Sequence, residues 1–268
     1  MSTHQIPSST SQMLIISRYE LLMYLRSKKI LGIVAMTVAV SALFIGMYEY
    51  LGTQLPQTLE FDLASPMSFV FFLIVITAAF FSSSVSSEFN HKTGYLLFAN
   101  PVSRTSIWFG KFIAAEIIVF SIIVLYYSII VLYAAISYDV PVQIISSLLF
   151  SFVSATMIMS FAFLINSIFR GQTGSTVLIF ALFIILFPIM DNFMMLIGGD
   201  TPWFSPTFSS GIIKHVLTVP YPNTDSVVSI PFFAPSIPKI SDSLGVMASY
   251  FITCTTLSIL IFKRKEMI

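Results

Sequence analysis

Catalysis needs nucleophiles, bases or metal ligands brought together at set spacings, and this chain offers few of them. Its three histidines are His4, His91 and His215, and neither HExxH nor GxSxG occurs around them or elsewhere. The one cysteine, Cys254, lies inside an apolar run, so it has no partner for an internal disulfide and reads as a small buried or lipid-facing residue. There is no GxxxxGK[ST], hence no phosphate loop of its own for ATP. The 13 methionines include the group Met190, Met194 and Met195. Thioethers suit soft metals, but in so apolar a chain flexible filler is the simpler reading, and no metal site or bound cofactor is expected. A net charge of +1 gives no reason to invoke nucleic acid.

What remains is a set of polar residues inside apolar surroundings, where each is a functional candidate by default. Glu116 and Asp191 are the acids of this kind. Both read first as helix-end residues, Glu116 offset by Lys111 or another nearby cation. Asn166 and the serines Ser82, Ser83, Ser84, Ser86 and Ser87 have two readings, a polar path through the protein or hydrogen-bonded contacts between helices. Ser83, Ser84, Ser87, Glu116 and Asn166 are the pathway candidates.

The elements that must hold these residues are membrane spans. Hydrophobic residues make up 56% of the chain and charged ones 9%, against roughly 25% charged in a soluble domain. A hydrocarbon core about 30 Å thick takes roughly 20 apolar helical residues to cross. Six such stretches are present: 30–51, 67–85, 112–136, 142–168, 175–197 with Pro188 bending it, and 244–262. The fold class is therefore all-α, an integral membrane protein of six transmembrane helices. Residues 1–29 form a separate unit, a polar mobile tail and then an amphipathic helix from Met13 to Lys29. That helix is interrupted too often to span, by Arg18, Glu20, Arg26, Lys28 and Lys29. Ser17, Glu20, Tyr24, Ser27 and Lys28 share one side and Ile15, Ile16, Tyr19, Leu22 and Met23 the other, as suits a helix lying at the membrane interface. The transmembrane domain is 30–268, with an inner loop at 88–111 and a long outer loop at 198–242. The outer loop holds seven of the 13 prolines and two apolar runs, 211–219 and 227–233, which read as short helices in or on the membrane.

Charge placement orients the spans. With both termini, the second-to-third loop and the fourth-to-fifth turn inside, 11 of the 13 cations are cytoplasmic, leaving Lys214 and Lys239 outside. The outer side also receives Glu49, Glu60, Asp62, Asp139, Asp191, Asp200, Asp225 and Asp242.

The stretch 82–111 is then the main cytoplasmic surface. Within it Tyr95, Leu96, Leu97 and Phe98 form an apolar patch that needs a cover. The sequence Glu88, Thr93, Leu96, Leu97, Pro101, Val102, Ser103, Arg104, Gly110 and Lys111 resembles the first inner loop of ABC-2 type transporter permeases, E-x-x-x-G-T-x-x-L-L-x-x-x-P-V-S-R followed by G-K. The segment with Arg18, Glu20, Leu21, Arg26, Ser27, Lys28 and Lys29 is similar to the helix before the first span in that family. Two positions depart from the pattern: Lys92 replaces the glycine before Thr93, and Tyr95 replaces an acid.

The resemblance implies the permease subunit of an ATP-driven transporter, most simply an exporter. It pairs with a second permease, a copy or a paralogue, and docks two ABC ATPase subunits that hold the ATP and Mg. Residues 90–100 would be the coupling helix. Glu88 and Arg104 would frame it by charge pairing, and Glu88, His91, Lys92, Thr93, Tyr95, Leu96, Leu97, Phe98, Pro101 and Arg104 would form the ATPase contact. The expected location is the plasma membrane of a prokaryote, multi-pass, with both termini cytoplasmic and membrane lipid around the spans. Two other classes compete: a non-transporting membrane partner of the immunity type, and a membrane-embedded enzyme. An ATPase gene beside this one would separate transport from the first, and the absence of a convergent titratable set argues against the second.

Overall fold

The computed structural model describes residues 9–50, 59–83, 103–137, 140–169, 171–198, 201–218, 221 and 237–264. All regular structure among them is helical. An N-terminal helix α1 (Ser9–Leu25) is followed by α2 (Lys28–Tyr50), the first span. Helices α3 (Leu59–Ser68) and α4 (Val70–Phe81) run on from one another as the second span. The third and fourth spans are α5 (Arg104–Ser137) and α6 (Gln143–Ile168). The fifth is built from α7 (Gln172–Phe180) and α8 (Phe187–Phe193), joined by a π-helical stretch Ala181–Leu186 and followed by another, Met194–Gly198. Two short helices, α9 (Pro206–Ser210) and α10 (Ile212–His215), precede the last span, α11 (Ile240–Arg264). Six of these helical segments are long and apolar enough to cross a membrane.

The centre of the bundle is α5 against α6. Helix α6 also touches α4, α7, α9, α10 and α11, while α5 touches α1, α2, α4 and α11. The reason lies in side-chain size. One face of α6 carries Ser147, Ser151, Ser154, Ala155, Ile158 and Ala162, all buried, and small residues let neighbouring helices approach closely. The serine hydroxyls then find partners in place of water. Ser147 Oγ donates to the Ile213 carbonyl at 2.6 Å, Ser154 and Ser210 share a hydrogen bond of 2.7 Å, and the Tyr127 hydroxyl meets Ser147 and Ser151, each at 2.8 Å. Tyr126 donates to the Pro66 carbonyl at 2.7 Å, tying α5 to α3. By contrast α2 and the fifth span present large apolar side chains outward, among them Leu31, Leu43, Ile185 and Ile189.

One expectation changes. The third span begins at Arg104 rather than Phe112, so the last eight residues of the supposed inner loop are helix. Gly110 and Lys111 read as loop because a glycine and a charge normally end a span, whereas here both are used in packing, as shown below. At 34 residues α5 is about 50 Å long, well beyond the ~30 Å of hydrocarbon, so two or more turns stand clear of it. Pro188 does disturb the fifth span, and the helix widens into the π-helical stretch directly before it. Proline cannot donate to the carbonyl four residues back, and an i to i+5 pattern absorbs the missing bond. The run 211–219 contains α10, as expected of a short helix, and Ile212, Ile213 and Leu217 bury against the bundle. The second apolar run, 227–233, lies outside the described residues, as does the tail 1–8.

Candidate functional site

The described part of the motif region is a clamp at the end of the bundle where α5 begins and α11 ends. Ser103 starts it as the N-cap of α5: its Oγ accepts the Ser106 N–H at 3.1 Å, satisfying one of the helix's otherwise unpaired amides. Its own N–H donates to Gln12 Oε1 at 3.3 Å, and Ser106 Oγ meets Ser9 Oγ at 2.8 Å, so the first turn of α5 is tied to α1. One turn further on, Gly110 lets the two helices touch. A Cβ placed there would lie 2.8 Å from Ile16 Cβ and 3.0 Å from the Met13 carbonyl oxygen, closer than a methyl group tolerates. Lys111 Nζ then makes an ion pair with Glu20 Oε1 across the same interface, with Lys111 only 2% and Glu20 12% exposed. The polar side of α1 is therefore turned inward, Ser17 and Tyr24 being buried. Its apolar residues Leu14, Tyr19 and Met23 face outward, as do Arg18, Arg26, Lys28 and Lys29.

The same end of α5 also holds α11. Arg104 Nη1 donates to the Lys263 carbonyl at 2.7 Å, satisfying one of the last unpaired carbonyls of that helix. Trp108, fully buried, stacks on Phe112 with centroids 5.1 Å apart and donates from Nε1 to Ser258 Oγ at 2.9 Å. Ser258 in turn shares a hydrogen bond with Ser167 of α6 at 2.8 Å. Four helices, α1, α5, α6 and α11, are thus fastened around the residues 103–111.

Beside the clamp, Asn166 joins three helices. Its Nδ2 donates to Ser82 Oγ at 2.9 Å and to the Ala162 carbonyl, and its Oδ1 accepts from Ser175 Oγ at 2.6 Å. Gln172 Nε2 donates to Ser83 Oγ at 2.8 Å. Asn166 and Ser83 therefore sit in one buried network between α4, α6 and α7. Ser84 and Ser87 lie outside the described residues. So do Glu88, His91, Lys92, Thr93, Tyr95, Leu96, Leu97, Phe98 and Pro101, leaving Arg104 as the one described member of the expected ATPase contact.

Glu116 differs from expectation. Lys111 turns to Glu20, one turn below, and Glu116 instead accepts from Thr156 Oγ1 of α6 at 2.6 Å. Its second oxygen, Oε2, is buried with no hydrogen-bond partner among the described residues. Asp191 accepts from Thr207 Oγ1 of α9, and its Oδ1 is likewise buried and unpartnered. On the short helix between the spans, burial and then the charge of Lys214 push the His215 imidazole down to about 4, so it is neutral at ordinary pH.

Sequence reasoning missed Gln12, Ser106, Trp108 and Ser258. Their partners are 91 to 150 residues away in the chain, and no local pattern signals such a bond. Gly110 was visible only as a motif letter, and Lys111 as that and as a cation near Glu116.

A family model described as ABC-2 family transporter protein matches residues 14–267, from the interfacial helix through the last span. No curated protein matches the chain. The match takes in most of α1, the clamp residues of α5, α6 and α11, and all six spans, and the chain belongs to the ABC-2 family of transporter proteins.

Proposed function

We propose that this chain is the permease subunit of an ATP-driven exporter, inserted in a prokaryotic plasma membrane with both termini cytoplasmic, and coupled to separate ABC ATPase subunits through the segment 88–103 that leads into α5. A second permease, a copy or a paralogue, completes the pathway. Family membership supplies the transport class, and 11 of 13 cations on one side of the spans support the orientation. The observation that carries the coupling reading is the clamp. The chain segment leaving the loop at Ser103 enters a helix pinned to α1 by the Lys111–Glu20 pair, to α11 by Arg104, and to α6 through Trp108 and Ser258. A partner that pushes on the loop therefore moves four helices together, and a ligand-driven change needs such a rigid connection to a two-state element.

In this reading Glu88, His91, Lys92, Thr93 and Pro101 shape the loop, while Tyr95, Leu96, Leu97 and Phe98 enter an ATPase groove. ATP and Mg are bound by the ATPase. Replacing Tyr95 or Leu97 by Asp places a charge in an apolar contact. The expected result is loss of ATPase co-purification and of substrate-stimulated ATP hydrolysis, with the permease itself still folded. Full stimulation in both variants would remove the coupling role from this loop.

A further inference from the structure

At the opposite end of the bundle from the clamp, the structure holds a half-open cavity of about 460 Å³ between the second span, the fifth span and the short helices α9 and α10. Its size falls within the range of about 300–1,000 Å³ usual for pockets that take small organic ligands. Most of its wall is apolar, supplied by Phe71 and Phe72 of α4, Met195, Phe208 and Ile213. Three titratable groups line it: Asp191, Lys214 and His215.

Asp191 is 7% exposed; its carboxylate accepts from Thr207 and is also favoured by the Ser205 hydroxyl and the Phe208 backbone N–H at the start of α9. The oxygen Oδ1 is buried with no hydrogen-bond partner among the described residues, a costly state for a carboxylate oxygen. Lys214 lines the same cavity, yet no ion pair joins it to Asp191 among the described residues. The cavity thus carries one carboxylate and one ammonium, held apart, on an apolar wall. His215 adds no charge, since burial keeps it neutral. A simple cation would be drawn to Asp191 and repelled by Lys214, and a simple anion the reverse. A ligand with both charges is favoured by both groups, and the phenylalanine and methionine wall calls for an apolar portion beside them.

We propose that this cavity binds a zwitterionic amphiphile, its protonated amine against the Asp191 carboxylate and its anionic group on Lys214, as a phosphoethanolamine headgroup would present them. The same headgroup chemistry occurs in a bilayer lipid and in a free soluble zwitterion. The site is independent of the coupling reading, because its test involves neither ATP nor an ATPase.

The test is a thermophoresis titration of the full chain, purified in detergent, with three probes: dihexanoyl-phosphatidylethanolamine, dihexanoyl-phosphatidylglycerol and free O-phosphoethanolamine. The amine-bearing lipid is expected to bind about tenfold or more tightly than the phosphatidylglycerol, the difference one charge-assisted hydrogen bond supplies. Asp191→Asn should erase that preference by weakening the phosphatidylethanolamine alone. Lys214→Gln, a change at a partly exposed side chain, should weaken both lipids alike. Free O-phosphoethanolamine binding as tightly as the short-chain lipid would make the ligand a soluble zwitterion, and lipid binding alone would make it a membrane lipid. Equal affinity of the wild type for the two lipids would overturn the proposal without any variant, as would an Asp191→Asn protein that keeps the preference.

Discussion

Lys111 shows how strongly one residue's meaning depends on its partner. A lysine at 2% exposure has given up most of its water, and the Glu20 carboxylate stands in for it. Such a pair adds little stability relative to a well-packed apolar pair, but removing one member leaves a buried charge alone. Lys111→Met is therefore expected to lower stability by about 3 kcal/mol, while Lys111→Met with Glu20→Leu should recover most of the loss. Thermal unfolding of the purified protein by tryptophan fluorescence measures both, and a double variant no better than the single one would remove the charge explanation. His215 makes a different residue-scale prediction. Its folded value of about 4 lies below the ordinary imidazole value of 6.5, so the unfolded chain binds the proton more readily. The stability that neutral His215 contributes is present above about 6.5 and is lost as the pH falls toward about 4. Melting temperature should fall as the pH is lowered from about 6.5 to about 4, and His215→Gln should flatten that dependence.

Between α1 and α5 the decisive quantity is the distance between two backbones. Gly110 sets it, because any side chain there meets Ile16 and the Met13 carbonyl at once, and a carbonyl oxygen cannot rotate away. Alanine would recover up to about 1 kcal/mol of helix propensity and mask part of the clash, so valine is the cleaner probe. Gly110→Val is expected to cost about 2 kcal/mol from overpacking and to lift α1 from α5. Faster proteolysis within residues 9–25, together with a lowered melting temperature, would report the separation. A variant with unchanged protease resistance would mean that α1 is held chiefly by Gln12, Ser9 and the ion pair. The same interface explains the sidedness of α1. The helix has no strong apolar stripe facing the bundle, because Gln12 and Glu20 bond Ser103 and Lys111 of α5, Tyr24 donates to the Phe81 carbonyl of α4, and of the expected lipid-side residues only Ile16 turns inward, onto Gly110.

For the whole molecule, the two ends of the bundle are built differently. The clamp end ties α1, α5, α6 and α11 by hydrogen bonds and an ion pair, whereas the far end holds the cavity with Asp191 and Lys214, which form no ion pair with each other. Under the proposed orientation the clamp is cytoplasmic. A single cysteine at Lys239, in a background with Cys254 replaced by Ser, should then react with a membrane-impermeant maleimide in intact cells, and a cysteine at Arg26 should react only after lysis. The reverse pattern would invert the topology.

The six spans were legible in the sequence because crossing a bilayer imposes a composition that few other structures need: about 20 apolar residues with no water to satisfy the backbone. The short helix in 211–219 and the disturbance at Pro188 were legible for similarly local reasons, a run of apolar residues and a missing N–H. The start of α5 was not, since a glycine and a lysine in sequence look like the end of a span, and only the approach of α1 turns them into a contact and an ion pair. Glu116 was assigned the wrong neighbour for the same reason. Lys111 lies five residues away along the helix, but Glu20 and Thr156 come from other helices and reach the two side chains first. Local hydropathy therefore determined which segments lie in the membrane. Which helices touch, which serines bond one another and where Asp191 meets Lys214 and His215 were decided by tertiary packing, because those partners lie far apart in the chain and no short-range pattern encodes their meeting.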